Sequence, residues 1–113
     1  MKVIKEKNAL QFANSDTCVG LEYPFLDKDI NISIIEINGR YPIEENVVNL
    51  KCKEIAYVIK GSGKITIEDK EFQLDRGDGV FINKGEKYYW EGTMTLVVVC
   101  TPAWFPEQHT EVH

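Results

Sequence analysis

The sequence predicts an all-β fold, a small jelly-roll barrel built from two sheets. Short runs rich in β-branched and aromatic residues follow one another closely along the chain. Gly, Asp and Asn, the residues typical of tight turns, bound most of these runs. No stretch keeps the apolar spacing of a long helix. Many short strands in a chain of 113 residues favour a barrel or a sandwich.

The predicted strands fill the middle of the chain. They are expected at 30–37, 47–50, 55–59, 64–68, 71–74, 80–82, 87–91 and 96–100. Turns are expected between them, among others at 38–39, 61–63, 69–70, 76–79 and 91–93. Residues 8–16 suit either an edge strand or a turn of helix. The tail, 102–113, is expected to be irregular, because Pro102 and Pro106 cannot donate to a strand ladder.

Length and composition indicate one soluble globular domain covering 1–113. The chain is 43% hydrophobic and 27% charged, which is ordinary for such a domain. Its 13 basic residues are scattered among 18 acidic ones, and the net charge of -5 argues against a nucleic-acid partner. No apolar stretch is long enough for a signal peptide or a membrane span, so we expect a cytoplasmic protein without a membrane partner.

Three cysteines, Cys18, Cys52 and Cys100, lie far apart and form no C-x-x-C pair. Such spacing gives no zinc or redox motif, so free buried thiols are expected.

Glu54 stands at the head of the apolar run 55–59. A carboxylate at the inner end of a buried strand is costly unless a metal, a cation or a ligand compensates it. The residue therefore indicates a pocket. The alternative is a structural ion pair with Arg40 or Lys51 at the rim of the barrel.

The chain resembles the cupin superfamily over residues 47–101. The family's first motif ends in a glutamate followed seven positions later by a glycine, which matches Glu54 and Gly61. The glycines of its second motif match Gly77 and Gly85. The resemblance implies a cupin-like double-stranded β-helix, with its motif core at 47–101. It also implies a homodimer, in agreement with apolar residues on both faces of the runs 32–37 and 96–99.

The departures from the family bear on function. Of the three histidines and one glutamate that usually bind its metal, only Glu54 remains. The histidine positions carry Val47 and Asn49, or Val48 and Leu50, and then Tyr88. These side chains are poor ligands for a transition metal, so we expect no resident metal and no cofactor. The only histidines, His109 and His113, lie in the tail, where we expect them to be exposed rather than folded over the barrel.

Strand parity predicts which side chains face the interior. If Glu54 points inward, Ala56 and Val58 share its face, and if Tyr88 points inward, so does Trp90. The predicted ligand-binding residues are therefore Asn49, Glu54, Tyr88 and Trp90, walled by Ala56, Val58 and Ile82. As alternatives, the two aromatic residues fill the core with their polar tips bound to backbone carbonyls, and Asn49 caps a turn.

Two functions follow from this pocket. The first is binding of a small polar organic molecule, such as a sugar or a carboxylic acid derivative, without a tightly bound transition metal. The second is a metal-independent sugar isomerase or epimerase in which Glu54 and Tyr88 act as the acid/base pair.

Overall fold

A computed structural model describes all of residues 1–113. The chain forms nine strands and two short 3₁₀ turns, Glu6–Asn8 and Pro106–Gln108. The strands are β1 (Leu10–Ser15), β2 (Cys18–Glu22), β3 (Asn31–Tyr41), β4 (Asn46–Asn49), β5 (Lys53–Ile67), β6 (Lys70–Asp75), β7 (Gly79–Ile82), β8 (Lys87–Thr101) and β9 (His109–Val112). The predicted all-β fold is confirmed. Neither helical segment is long and apolar enough to cross a membrane.

All the strands belong to one antiparallel sheet that curls on itself. One path through it runs β1-β2-β3-β8-β4-β9, and β5 joins β8 while also pairing with β6 and β7. The two central strands, β5 and β8, are 15 residues long and pair with each other along almost their whole length. Because long antiparallel strands twist and bend, this pairing closes the sheet into a barrel with an interior.

The turns predicted at 61–63 and 91–93 are wrong, because β5 and β8 run straight through them. Gly63 pairs with Gly92 in the ladder between these strands. A Cβ added to Gly92, whose φ is +131°, would lie 2.5 Å from the Cα of Gly63. The glycines therefore allow two bent strands to approach each other, which a turn assignment from composition does not distinguish.

The two ends of the chain are more ordered than the sequence predicts. Residues 8–16 contribute mainly an edge strand, β1, and the next strand, β2, has no counterpart in the prediction. The irregular tail is also wrong: β9 pairs with β4, with Asn49 opposite His109. Pro106 opens a 3₁₀ turn, where its missing N–H costs nothing, and the strand begins after it.

Burial alternates along the strands as parity requires. Glu54, Ala56 and Val58 of β5 are buried, while Ile55 and Tyr57 face outward. In β8 every second residue is buried, and this alternation continues on both sides of Gly92. The inner face of the strand therefore carries Tyr88, Trp90, Met94, Leu96, Val98 and Cys100. These side chains belong to one contiguous core of buried residues.

The outer face of the sheet keeps apolar residues in contact with solvent. Ile55 and Phe81 are opposite each other on β5 and β7, and both side chains are about half exposed. Tyr57 lies on the same face. A second copy covering this face is the predicted homodimer, which stays a prediction.

Candidate small-molecule site

A cavity of about 380 Å³ lies inside the barrel. Strands β1, β2, β3 and β8 line most of it, and the tail covers one side with Trp104, Pro106 and His109. Strand β5 reaches the cavity with a single side chain, that of Glu54. Most of the lining residues are hydrophobic, and a few polar groups point in among them, which is typical of small-molecule sites.

Glu54 is 6% exposed and has no cationic partner. Its Oε1 accepts a hydrogen bond from Asn49 Nδ2 at 3.1 Å and a weak one from the Cys100 thiol at 3.8 Å. The register explains the second contact, since Cys100 is directly opposite Glu54 on β8. The Tyr88 hydroxyl also lies close enough to the carboxyl group to stabilise its ionised form.

The predicted alternative of a rim ion pair for Glu54 is wrong. The Arg40 guanidinium donates instead to the carbonyls of Pro42 and Glu45, at 2.6 and 2.9 Å, and lies over the Tyr89 ring. Lys51 forms no ion pair. Glu54 is thus left facing the cavity with its charge uncompensated.

Burial raises the pKa of Glu54 to about 7. Removal from water disfavours the carboxylate, and the facing groups of Asn49, Cys100 and Tyr88 offset this only in part. A carboxyl group with such a pKa populates both protonation states near neutral pH. It can therefore donate or accept a proton there.

Asn49 does not line the cavity, although we expected it to contact the ligand. It lies fully buried behind the wall and connects four side chains. Its Nδ2 donates to Glu54 and, at 3.4 Å, to the Tyr88 hydroxyl. Its Oδ1 accepts from Gln108 Nε2 at 3.0 Å and from His109 Nδ1 at 2.9 Å. The alternative, that Asn49 caps a turn, does not describe this side chain either, because its partners are side chains from distant strands.

His109 is not exposed as expected, since β9 brings its ring to the cavity. The ring stacks on Tyr41, with the planes 4° apart, and its Nε2 lies 2.8 Å from the Tyr41 hydroxyl. Because an amide oxygen only accepts, Nδ1 donates to Asn49, which leaves Nε2 to accept from Tyr41. Burial lowers the pKa of His109 to about 4, so the imidazole is neutral at physiological pH.

Tyr88 and Trp90 both line the cavity, with their rings edge to face at 6.4 Å. No backbone carbonyl accepts the polar tip of either residue. The Tyr88 hydroxyl contacts the Asn49 amide, and the Trp90 indole N–H has no partner within the chain and is not sealed from the cavity. Both groups are therefore available to a ligand.

The predicted walls Ala56, Val58 and Ile82 are wrong, although all three are fully buried. They pack in the core beyond the cavity, because β5 leaves the cavity after Glu54. Asp78 has a structural role outside the cavity, since its carboxylate accepts the Asp75 N–H within the turn.

The sequence reasoning missed Cys100, Tyr41, Trp104 and His109 as site residues. A signal existed for Cys100: the inward parity of Tyr88 continues through Gly92 if β8 is taken as one strand. No comparable signal places His109, because the run His-Thr-Glu-Val lacks the apolar alternation of a strand.

The comparisons with known proteins agree with this architecture. A curled all-β barrel around an internal cavity is the architecture of the cupin fold. Residues 51–102 match the family model described as the cupin domain. The resemblance is thereby confirmed: the chain has the cupin fold, and its residues 51–102 match the family model.

Solved structures with a similar fold include Pac13, described as a unique nucleoside dehydratase. It superimposes with a TM-score of 0.89 over 100% of this chain and 92% of that one, at 14% identity. A histidine-to-glutamine variant of Streptomyces PAC13 with uridine gives 0.86, at 15% identity over 96% and 88%. Ectoine synthase from P. lautus gives 0.77, at 17% identity over 100% and 91%. At these identities the likeness shows the fold alone.

A curated relative is an uncharacterized protein from Aquifex aeolicus (strain VF5). It is 28% identical over 78 residues, which cover 60% of this chain and 64% of that protein. The match thus spans less than two thirds of the relative.

The residues of the cavity do not fit the metal that the family usually holds. No group of three or more His, Cys, Asp and Glu side chains is placed where it could bind an ion. At the family's histidine positions, Val47 and Val48 offer no ligand atom, Asn49 uses its amide on neighbouring side chains, and Tyr88 offers only a neutral phenol.

We therefore predict that purified, untagged protein contains no stoichiometric iron, nickel, manganese or zinc. Tight binding of these ions needs several converging imidazoles, thiolates or carboxylates, which this site lacks. Elemental analysis of the dialysed protein measures the content. One metal per chain that disappears in Glu54→Ala and persists in Glu36→Ala, a change on the outer face of β3, would contradict the prediction.

Proposed function

We propose that this cupin binds a small polar organic molecule in its cavity through Glu54. One observation carries the proposal: a buried carboxyl group without a cationic partner faces the cavity. A buried carboxylate without a counter-charge lowers stability, so an arrangement of this kind is typical of a site that a ligand completes. The Tyr88 hydroxyl and the Trp90 indole N–H supply further hydrogen-bonding groups beside it.

The size and lining of the cavity support a ring-shaped ligand. A volume of about 380 Å³ is at the lower end for small-molecule sites and suits a sugar or a nucleoside. Trp90 and Trp104 offer aromatic faces on which such a ring can stack. Neighbours of the same fold include a nucleoside dehydratase and a protein in complex with uridine, which supports including nucleosides among the candidates.

A second candidate is a metal-independent acid/base enzyme, for example an isomerase or an epimerase. The observation that favours it is the pKa of Glu54 at about 7, which is well matched to proton transfer at neutral pH. Burial keeps the pKa of Tyr88 well above its usual value, so its hydroxyl stays protonated and can donate to a developing oxyanion. Both groups contact the same Asn49 amide and therefore lie side by side.

The variant Glu54→Gln separates these functions, because it keeps the shape of the side chain and removes its basicity. A thermal-shift screen of sugars, nucleosides and their derivatives supplies a ligand, and tryptophan fluorescence follows binding. If Glu54 recognises the ligand, the variant loses about 1.5 to 3 kcal/mol of affinity, roughly a 10- to 150-fold rise in Kd, with no turnover in the wild type. Turnover abolished by the substitution with affinity intact would establish the enzyme instead.

The matched control is Glu36→Gln, which removes a carboxylate from the exposed face of β3. It should leave affinity unchanged. An unchanged affinity in Glu54→Gln as well would contradict the proposed role of Glu54.

A further inference from the structure

The cavity contains no positively charged residue. Its lining includes two carboxyl side chains, Glu54 and Glu22, but neither lysine nor arginine. The one basic group, the imidazole of His109, is held neutral between Tyr41 and Asn49. The overall charge of the chain does not explain this, because 13 lysines and arginines are distributed elsewhere on it.

We propose that the cavity selects organic cations, small molecules that carry a protonated amine or a quaternary ammonium, with the Glu54 carboxylate as the counter-ion. This inference rests on the proposed function, because it names the class of molecule that the same cavity binds.

Glu54 provides the first argument. A buried carboxylate needs an opposite charge nearby, and the chain supplies none. Its hydrogen-bonding neighbours are the Asn49 amide, the Cys100 thiol and the Tyr88 hydroxyl, and none of them carries a positive charge. A cationic ligand brings the missing charge. A phosphate or a carboxylate would instead be buried beside Glu54 with nothing to neutralise either group, so anionic ligands are disfavoured.

The aromatic walls provide the second argument. Phe12, Tyr41, Trp90 and Trp104 line the cavity together with Glu54. The negative faces of aromatic rings attract organic cations, and rings combined with a carboxylate are a known way of binding ammonium groups. Aromatic walls alone also accept a neutral sugar or nucleoside, so the charge of the preferred ligand is what the experiment must measure.

Cation binding and ionisation of Glu54 should be coupled. The thiols, phenols and imidazole around Glu54 keep a neutral form between pH 5.5 and 8. Burial raises the pKa of each thiol and phenol nearby and lowers that of the imidazole, namely for Cys18, Tyr41, Cys52, Tyr88, Cys100 and His109. Glu54, with a pKa of about 7, changes charge within this range. Glu22 is the second carboxyl group of the lining and is tested separately below.

The experiment compares three probes of one shape that differ in charge: choline, 3,3-dimethylbutan-1-ol and 3,3-dimethylbutanoate. Cyclohexylmethylamine, cyclohexylmethanol and cyclohexanecarboxylate form a second set with a ring, and the amine stays protonated at both pH values. Tryptophan fluorescence and calorimetry give Kd at pH 5.5 and pH 8. At pH 8 the cation should bind at least about tenfold more tightly than its neutral counterpart, and the anion least. The affinity of the cation should fall about 30-fold between pH 8 and pH 5.5, because the ionised fraction of Glu54 falls by that factor. The affinity of the neutral probe should stay constant.

The variants identify the residue responsible. Glu54→Gln should abolish both the preference for the cation and its pH dependence, and Glu36→Gln should keep both. A preference lost in Glu22→Gln but retained in Glu54→Gln would overturn the assignment to Glu54.

The proposed function and this inference fail in different ways. Neutral or anionic probes that bind wild-type protein as tightly as the cation would overturn the selection of cations and leave a small-molecule site in place. Absence of binding by either set, and by the sugars and nucleosides of the wider screen, would overturn both.

Discussion

Replacing Asn49 with leucine should lower the free energy of unfolding by about 4 kcal/mol or more. The substitution keeps a side chain of similar size but removes the partner of three buried groups: the Glu54 carboxyl, the Gln108 amide and the His109 imidazole. Each buried group left without a hydrogen bond costs about 1 to 3 kcal/mol. A typical domain has only about 5 to 15 kcal/mol in total, so the variant should be close to unfolding at room temperature. Urea titration followed by tryptophan fluorescence measures the change.

Thr66→Val is the matched control for this prediction. Thr66 is also buried, yet its hydroxyl has no hydrogen-bond partner, so an apolar residue of the same shape should be neutral or stabilising. Comparing the two variants separates the effect of losing the hydrogen bonds of Asn49 from the effect of replacing any buried polar residue. If Asn49→Leu cost no more than Thr66→Val, the network around Asn49 would have no role in stability.

The sequence indicated Asn49 as a residue of interest but not its role in connecting distant side chains by hydrogen bonds. Its position relative to Glu54 follows from the cupin motif, and parity correctly turned Glu54, Tyr88 and Trp90 inward. Its partners Gln108 and His109 are 59 and 60 residues away along the chain. Such contacts depend on the pairing of β9 with β4, and edge strands with polar sequences carry no apolar pattern to predict them.

The fold was predictable for a different reason. Alternation of period two is a local signal, and the eight expected strands correspond to six of the nine, because β5 and β8 were each divided in two at glycines. Composition alone cannot separate a glycine that turns the chain from one that allows two backbones to meet. At Gly63 and Gly92 the second role applies, since these residues face each other across the ladder. The division concealed that Cys100 shares a face with Tyr88.

Glu54→Gln should make the protein more stable at pH 8, by about 3 kcal/mol. Burial raises the pKa of Glu54 from 4.5 to about 7, which means that the folded state binds this proton more tightly than the unfolded chain does. This proton therefore contributes fully to the free energy of unfolding below about pH 4.5, and the contribution is lost as the pH rises to 7. The folded wild type is least stable, with respect to Glu54, above about pH 7. Glutamine carries no charge and avoids the loss. A site residue whose removal stabilises the fold is typical of a functional group held at the expense of stability.

His109 also makes the stability of the protein depend on pH, and its contribution has the opposite sign to that of Glu54. Burial lowers its pKa from 6.5 to about 4, so the unfolded chain binds the proton first and stability falls as pH drops through this range. In the wild type the two contributions oppose each other between about pH 4.5 and 6.5. In Glu54→Gln only the His109 contribution remains, so the free energy of unfolding should rise with pH up to about 6.5. In His109→Gln only the Glu54 contribution remains, so the free energy of unfolding should fall as the pH rises to about 7.

Thermal and urea unfolding of the three proteins between pH 4.5 and 8 measures these slopes. At pH 4.5 Glu54→Gln should match the wild type, since both side chains are then uncharged. At pH 8 its melting temperature should be higher by roughly 10 °C. Glu36→Gln, which removes an exposed carboxylate, should stay within about 0.5 kcal/mol of the wild type at every pH. A Glu54→Gln variant less stable than the wild type at pH 8 would mean that the carboxylate has a favourable partner in the unliganded chain. In that case a cationic ligand would not be needed to explain its burial.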